Sequence, residues 1–147
     1  MYLDSCILVK LLAVEPDSEF FVRSLEGKPV VTSELAETEI FSALQARERA
    51  GKISAKDRRL AWREFESRVE AGEIKLEPMN SVVLRKARYM LEQCHPKVAL
   101  RTLDAIHLAT ADLCQDFPLV TTDVRMRDAA TMMGLEVFPP LEDESAN

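Results

Sequence analysis

The chain has 147 residues, 47% of them hydrophobic, enough for one compact domain with a sizeable core and too few for a second. Its apolar runs fall well short of the roughly 20 residues of a membrane span, and an acid at position 4 rules out a basic signal-like start, so a soluble, cytoplasmic protein is expected. The net charge of −6 sets it apart from ordinary basic phosphate binders; Cys6, Cys94 and Cys114, odd in number and without CxxC spacing, read as buried thiols and exclude a disulfide framework or zinc ribbon.

Met1 to Asp4 is a short strand-like run, followed by a helical pattern from Ser5 through Leu12 that stops near Glu15 because Pro16 follows. A second helical piece, Ser18 to Leu25, ends at Gly27. Pro29 to Thr32 is the next strand. Ser33 caps the helix after it, with Glu34 and Glu37 in the first turn and Gly51 as the left-handed stop. Ser54-Ala55-Lys56-Asp57 opens another helix in capping-box fashion, which stacks Leu60, Ala61, Phe65 and Val69 before Gly72. Ile74 to Leu76 is a strand. Asn80 or Ser81 starts a helix carrying Val83, Ala87, Leu91 and Cys94, terminated by Pro96. Thr102 to Gln115 is helical, Leu119 to Thr122 a strand, Arg125 to Met133 a helix closed by Gly134, and Leu135 to Phe138 a last strand. Residues 1–140 form the domain, and 141–147 an acidic tail.

Short strands alternating with longer helices define an α/β fold with a mostly parallel central sheet flanked by helices, since parallel strands need crossover connections. In such sheets the ligand crevice lies beyond the carboxyl ends of the strands. Asp4 and Asp123 fall at strand ends of that kind.

Apolar stretches seldom tolerate an unpaired carboxylate, and four acids sit in such settings: Asp4, Glu39, Asp104 and Asp123. At about 100° per residue, Glu39 falls inside the arc of Leu35, Ala36, Ile40, Ala43 and Ala46 and so faces inward. Taken singly, the others have local explanations: Asp4 as a helix N-cap, Asp123 as an Asx-turn residue, Asp104 as an acid favoured by the helix dipole. As a set they form a pocket of like charges that needs a cation, and oxygen donors without His or Cys favour Mg²⁺ or Mn²⁺. Ser5 and Thr121 add hydroxyl contacts. A site of this kind hydrolyses phosphodiester bonds. Asp4 and Asp104 anchor the principal ion in this reading, with Glu39 and Asp123 completing its coordination and orienting water. His107 is read as a core or supporting residue on the Asp104 helix, and Asp128 as a peripheral helper or a surface charge.

Net charge does not decide against a nucleic-acid partner, because Arg47, Arg49, Lys52, Lys56, Arg58, Arg59, Arg63 and Arg68 make one stretch locally basic. That stretch is either a solvated helical face or a contact for a nucleic-acid backbone. Two readings from other classes stay open. A receiver-like phosphoacceptor domain also gathers acids around Mg²⁺, but it needs a lysine after a late strand, and Val137-Phe138-Pro139-Pro140 offers none. A non-catalytic binding module would use the carboxylates only to hold a structural cation.

Four segments together resemble the PIN-domain nucleases, in particular the small VapC-type toxins of toxin-antitoxin pairs. They are Tyr2-Leu3-Asp4-Ser5, Thr32-Ser33-Glu34-Leu35 leading to Glu39, the run from Leu100 to Ala109 around Asp104, and Val120-Thr121-Thr122-Asp123. The resemblance implies a three-layer sandwich and an endoribonuclease whose acids, at Asp4, Glu39, Asp104 and Asp123, bind Mg²⁺ or Mn²⁺. It also implies an RNA substrate, a homodimer and a cognate antitoxin protein that covers the acidic site. Cys6 departs from the pattern, which often has Ser there. Phe20, Phe21, Trp62 and Phe65 are candidates for the partner surfaces, with core packing as the simpler reading.

Overall fold

The computed structural model describes residues 1–13 and 17–140; the expected helix stop at Glu15 and Pro16, and the acidic tail, lie outside the described residues. In chain order the elements are β1 (Tyr2–Leu3), α1 (Ser5–Leu12), α2 (Ser18–Leu25), β2 (Val30–Ser33), α3 (Leu35–Arg49) and α4 (Ala55–Glu70). They continue with β3 (Ile74–Glu77), α5 (Ser81–Cys94), α6 (Thr102–Cys114), β4 (Leu119–Val120), α7 (Val124–Met132) and β5 (Val137–Phe138).

The strands form one sheet in the order β3-β2-β1-β4-β5, and every pairing is parallel. Each strand is short, yet successive side chains point to opposite faces and so feed two cores. Tyr2, Val31 and Leu119 pack with Val83, Met90, Leu108 and Met126 of α5, α6 and α7. Leu3, Ile74 and Val120 pack with Ile7, Phe21, Ile40 and Phe65 of α1 to α4. The result is the expected three-layer arrangement. Because β1 has β2 on one side and β4 on the other, the chain reverses its direction of travel across the sheet there, which opens a crevice beyond the strand ends.

Local signals account for most boundaries. Ser54 and Asp57 form both bonds of the capping box, and Asn80 Oδ1 accepts from the Val82 and Val83 amides at 2.9 and 3.2 Å. Gly51 adopts φ +68° after α3, a conformation that costs a residue without Cβ least. Other expectations are corrected. The fourth strand ends at Val120 rather than Thr122, because Thr121 and Asp123 turn their polar groups to the start of α7. Ser33 is the last residue of β2 and accepts from the Leu35 amide at 3.2 Å, while Glu34, read as a dipole acid, accepts from the Met79 amide at 3.0 Å and ties α3 to the end of β3. Cys94 is buried, but Cys6 and Cys114 are only partly so. Phe21 and Phe65 are core residues; Phe20 is exposed and stacks on Phe138, and Trp62 is half-buried against Phe41. Among the described residues no helix is long and apolar enough to cross a membrane.

Candidate active site

Asp4 and Asp123 lie at the crevice beyond β1 and β4. The register places Leu3 beside Val120, and the Asp4 amide donates to the Val120 carbonyl at 3.2 Å, which brings Asp4 next to Thr121. Asp4 is 3% exposed. Its Oδ1 accepts from the Ile7 amide at 3.0 Å and caps α1, while Oδ2 accepts from the Thr121 hydroxyl. The same Thr121 oxygen accepts from the Asp123 amide at 3.1 Å. Asp123 repeats the arrangement at α7, its Oδ1 accepting from the Met126 amide at 3.0 Å. Both aspartates therefore cap helices with one oxygen, while the second oxygen of Asp4 takes the Thr121 hydroxyl and that of Asp123 the Arg101 guanidinium.

Asp104 enters from the first turn of α6 and is linked to Asp123 by a residue to which sequence reasoning assigned no role. Arg101 donates from Nε to Asp104 Oδ2 at 2.7 Å, from Nη2 to Asp104 Oδ1 at 3.3 Å, and from Nη2 to Asp123 Oδ2 at 2.8 Å. Its only sequence signal was the spacing of three residues from Asp104, which puts the two on one helical face.

Glu39 projects from the inward side of α3, as its periodicity predicted, although Ala46 on the same arc is exposed. Its Oε2 lies 2.5 Å from His107 Nε2, and His107 Nδ1 lies 2.8 Å from the Tyr2 hydroxyl. Burial pushes the Tyr2 phenol up, so it keeps its proton, and both ring nitrogens of His107 are engaged, Nδ1 by the Tyr2 hydroxyl and Nε2 by Glu39. His107, almost wholly buried, is a support for Glu39 rather than an ordinary core residue. Tyr2, the other residue of this chain of bonds, was missed because in sequence it is only the apolar body of a strand.

The acids differ in electrostatic state. Burial raises the Asp4 carboxyl above the usual carboxylate range, against hydrogen bonds from Cys6, Thr121 and Ile7. Burial also presses on Glu39, but the hydrogen bond and charge of His107, the Ser5 hydroxyl and the charge of Arg101 together hold it below its ordinary value. Where the resemblance expects a hydroxyl, the Cys6 thiol contacts Asp4 and the Thr122 hydroxyl, and burial beside Asp4 pushes it up to about 12. Such a thiol stays protonated and acts as a weak donor. Asp128 is exposed on α7.

Among the described residues no three His, Cys, Asp or Glu side chains close on a common point as the ligands of one ion would. The Arg101 guanidinium lies between Asp104 and Asp123. The donor set is still of one chemical kind: four carboxylates with hydroxyls beside them, which fits a hard divalent cation and not a soft one. In the basic stretch, Arg58 pairs with Glu48 and Arg68 with Glu64, while Arg59 and Arg63 are exposed.

A wholly parallel α/β sandwich with interlinked acids at its topological switch point belongs to the class of folds that bind polar ligands at strand ends. The family follows from direct comparison: the PIN domain model matches residues 1–132, and the chain belongs to that family. It is 38% identical over 143 residues to Ribonuclease VapC46 of Mycobacterium tuberculosis, covering 95% of this chain and 97% of that protein. It is 33% identical to Ribonuclease VapC35 of the same species, covering 95% and 96%. A chain of a toxin-antitoxin complex from Klebsiella pneumoniae superposes with a TM-score of 0.58 over 96% of this chain and 98% of that one, at 15% identity, and shares the fold.

Proposed function

We propose that the chain is a Mg²⁺- or Mn²⁺-dependent endoribonuclease, the toxin of a type II toxin-antitoxin pair acting in the cytoplasm. One observation carries the reading: Thr121 and Arg101 link Asp4, Asp123 and Asp104 at one strand-end crevice, and Glu39 is held by His107 of the Asp104 helix and by Ser5, the neighbour of Asp4. The relatives' names as ribonucleases, and the toxin-antitoxin complex of the structural neighbour, support the substrate class and an antitoxin partner. A homodimer is part of the same proposal.

Asp4 and Asp104 would anchor the ion, and Glu39 and Asp123 would complete its surroundings. A divalent ion held there supplies a water nucleophile at neutral pH and stabilises charge in an in-line displacement at phosphorus. The chain's own part is to fix oxygen positions beforehand. The Ile7 and Met126 amides hold one oxygen of Asp4 and Asp123, the Thr121 hydroxyl and the Arg101 guanidinium take the other, and the His107 imidazole holds one oxygen of Glu39. Glu39, kept ionised by its neighbours, accepts a hydrogen bond from the attacking water.

Purified protein incubated with total cellular RNA should cleave it with Mg²⁺ or Mn²⁺ present, stop with EDTA and resume on adding back the ion; mapping the ends identifies the target. Cleavage indifferent to EDTA would overturn the metal dependence. Bound metal without any cleavage would favour the non-catalytic module. Arg59→Glu with Arg63→Glu should weaken RNA binding and flatten the slope of log affinity against log salt by about one for each phosphate no longer neutralised. An unchanged slope would remove the basic stretch from the RNA surface.

A further inference from the structure

We infer that Arg101 is the internal counter-cation of this site, competing with the divalent ion for Asp104 and Asp123 and so setting the affinity for it. The inference rests on the metal reading of the four acids and adds a role for a residue outside that set.

Three observations carry it. The guanidinium fork takes both oxygens of Asp104 and one of Asp123, so a single cation bridges two of the four carboxylates. Those carboxylates stand on different elements, 22 residues from Arg101 in one case and 3 in the other, and without a cation between them they repel. Next, Arg101 is the residue at the N-cap of α6, where the helix dipole disfavours a positive charge and where its side chain makes no capping bond. Its position is therefore decided by the acids, not by the helix. Finally, the Arg101 side chain is 53% exposed, so it can leave the carboxylates without giving up a buried contact.

Arg127 provides the contrast. Its guanidinium donates to the Thr121 and Pro139 carbonyls at 3.1 and 2.7 Å and clamps backbone beside the same crevice. It leaves the carboxylates alone. Of the two, Arg101 is the one that could give way to another cation, since its half-exposed side chain bonds the carboxylates and has solvent beside it.

The test is Mn²⁺ binding by metal-free protein without RNA, followed through the electron paramagnetic resonance signal of free Mn²⁺. Arg101→Gln should bind Mn²⁺ about three- to tenfold more tightly than wild type, the size expected when partly exposed ion pairs no longer have to be broken. Arg101→Lys, which keeps the charge but loses the fork, should fall between. In EDTA, Arg101→Gln should melt below wild type, because two carboxylates are left facing each other, and Mn²⁺ should raise its melting temperature by more than it raises that of wild type. Equal or weaker Mn²⁺ binding by Arg101→Gln, with wild type binding normally, would overturn the inference and leave the metal reading standing. If neither protein bound Mn²⁺ at millimolar concentration, the metal reading would fail and the inference with it.

Discussion

Replacing Asp4 by Asn is expected to abolish RNA cleavage while making the metal-free protein more stable. On the proposed reading the loss follows from removing a carboxylate that would hold the ion, whose charge stabilisation at phosphorus is worth several kcal/mol, or roughly a hundredfold or more in rate. Asp104→Asn should lose cleavage likewise. The gain in stability follows from burial. Asp4 is ionised at neutral pH only at a cost, since its carboxyl is raised by desolvation that the hydrogen bonds from Cys6, Thr121 and Ile7 do not offset. Asn keeps the N-cap bond to the Ile7 amide and removes the charge. The gain should be on the order of 1 kcal/mol at neutral pH, typical when an acid serves function against stability.

The sign of the pH dependence follows from the raised value. An acid with a higher pKa in the folded state destabilises the fold only once it ionises, so wild type should lose stability as pH rises above the ordinary carboxylate range, and Asp4→Asn should lose less. Glu39, held low, works in the opposite direction: its contribution is present at neutral pH and lost as pH falls through its folded value. Thermal melts of both proteins in EDTA across that range would check this. Full cleavage by either Asn variant, or a lower melting temperature for Asp4→Asn at neutral pH, would contradict the account.

The second large effect is expected at His107. His107→Ala should destabilise the protein by about 2–4 kcal/mol, combining a cavity between α6 and the sheet with the loss of bonding partners for the Tyr2 hydroxyl and Glu39. Tyr2→Phe removes only the hydroxyl and should cost about 1–2 kcal/mol. Since the two residues share one bond, the double variant should be less destabilised than the sum of the single ones. Urea unfolding measures all three. Strict additivity, or a His107→Ala midpoint close to wild type, would show that the Tyr2–His107–Glu39 chain does not hold the site together.

Much of the site was legible because its residues violate local rules. Glu39 sits on the apolar side of a helix, and no surface explanation covers that. Asp4 and Asp123 end apolar strands, and their bonds show how one residue satisfies both a local reading and a site reading: one oxygen serves the helix, the other bonds Thr121 or Arg101. Arg101 read as an ordinary polar residue in a loop before a helix, and its spacing of three residues from Asp104 was too common a signal to mark it. Tyr2 looked like core for the same reason, His107 read equally as core or as a support, and Glu34 looked like an ordinary first-turn acid until its bond to the Met79 amide was seen.

The amino-acid sequence by itself determined the alternation of strands and helices, the helix caps and stops, and the four acids, because these depend on periodicity, on Gly and Pro, and on the price of an isolated charge in apolar surroundings. Only the tertiary structure decided who touches whom. The bonds of Tyr2 to His107, of His107 to Glu39 and of Thr121 to Asp4 span 105, 68 and 117 residues. They exist because β4 pairs with β1 and α6 crosses behind them, and strand order is a property of how whole layers pack, which no short stretch of sequence encodes.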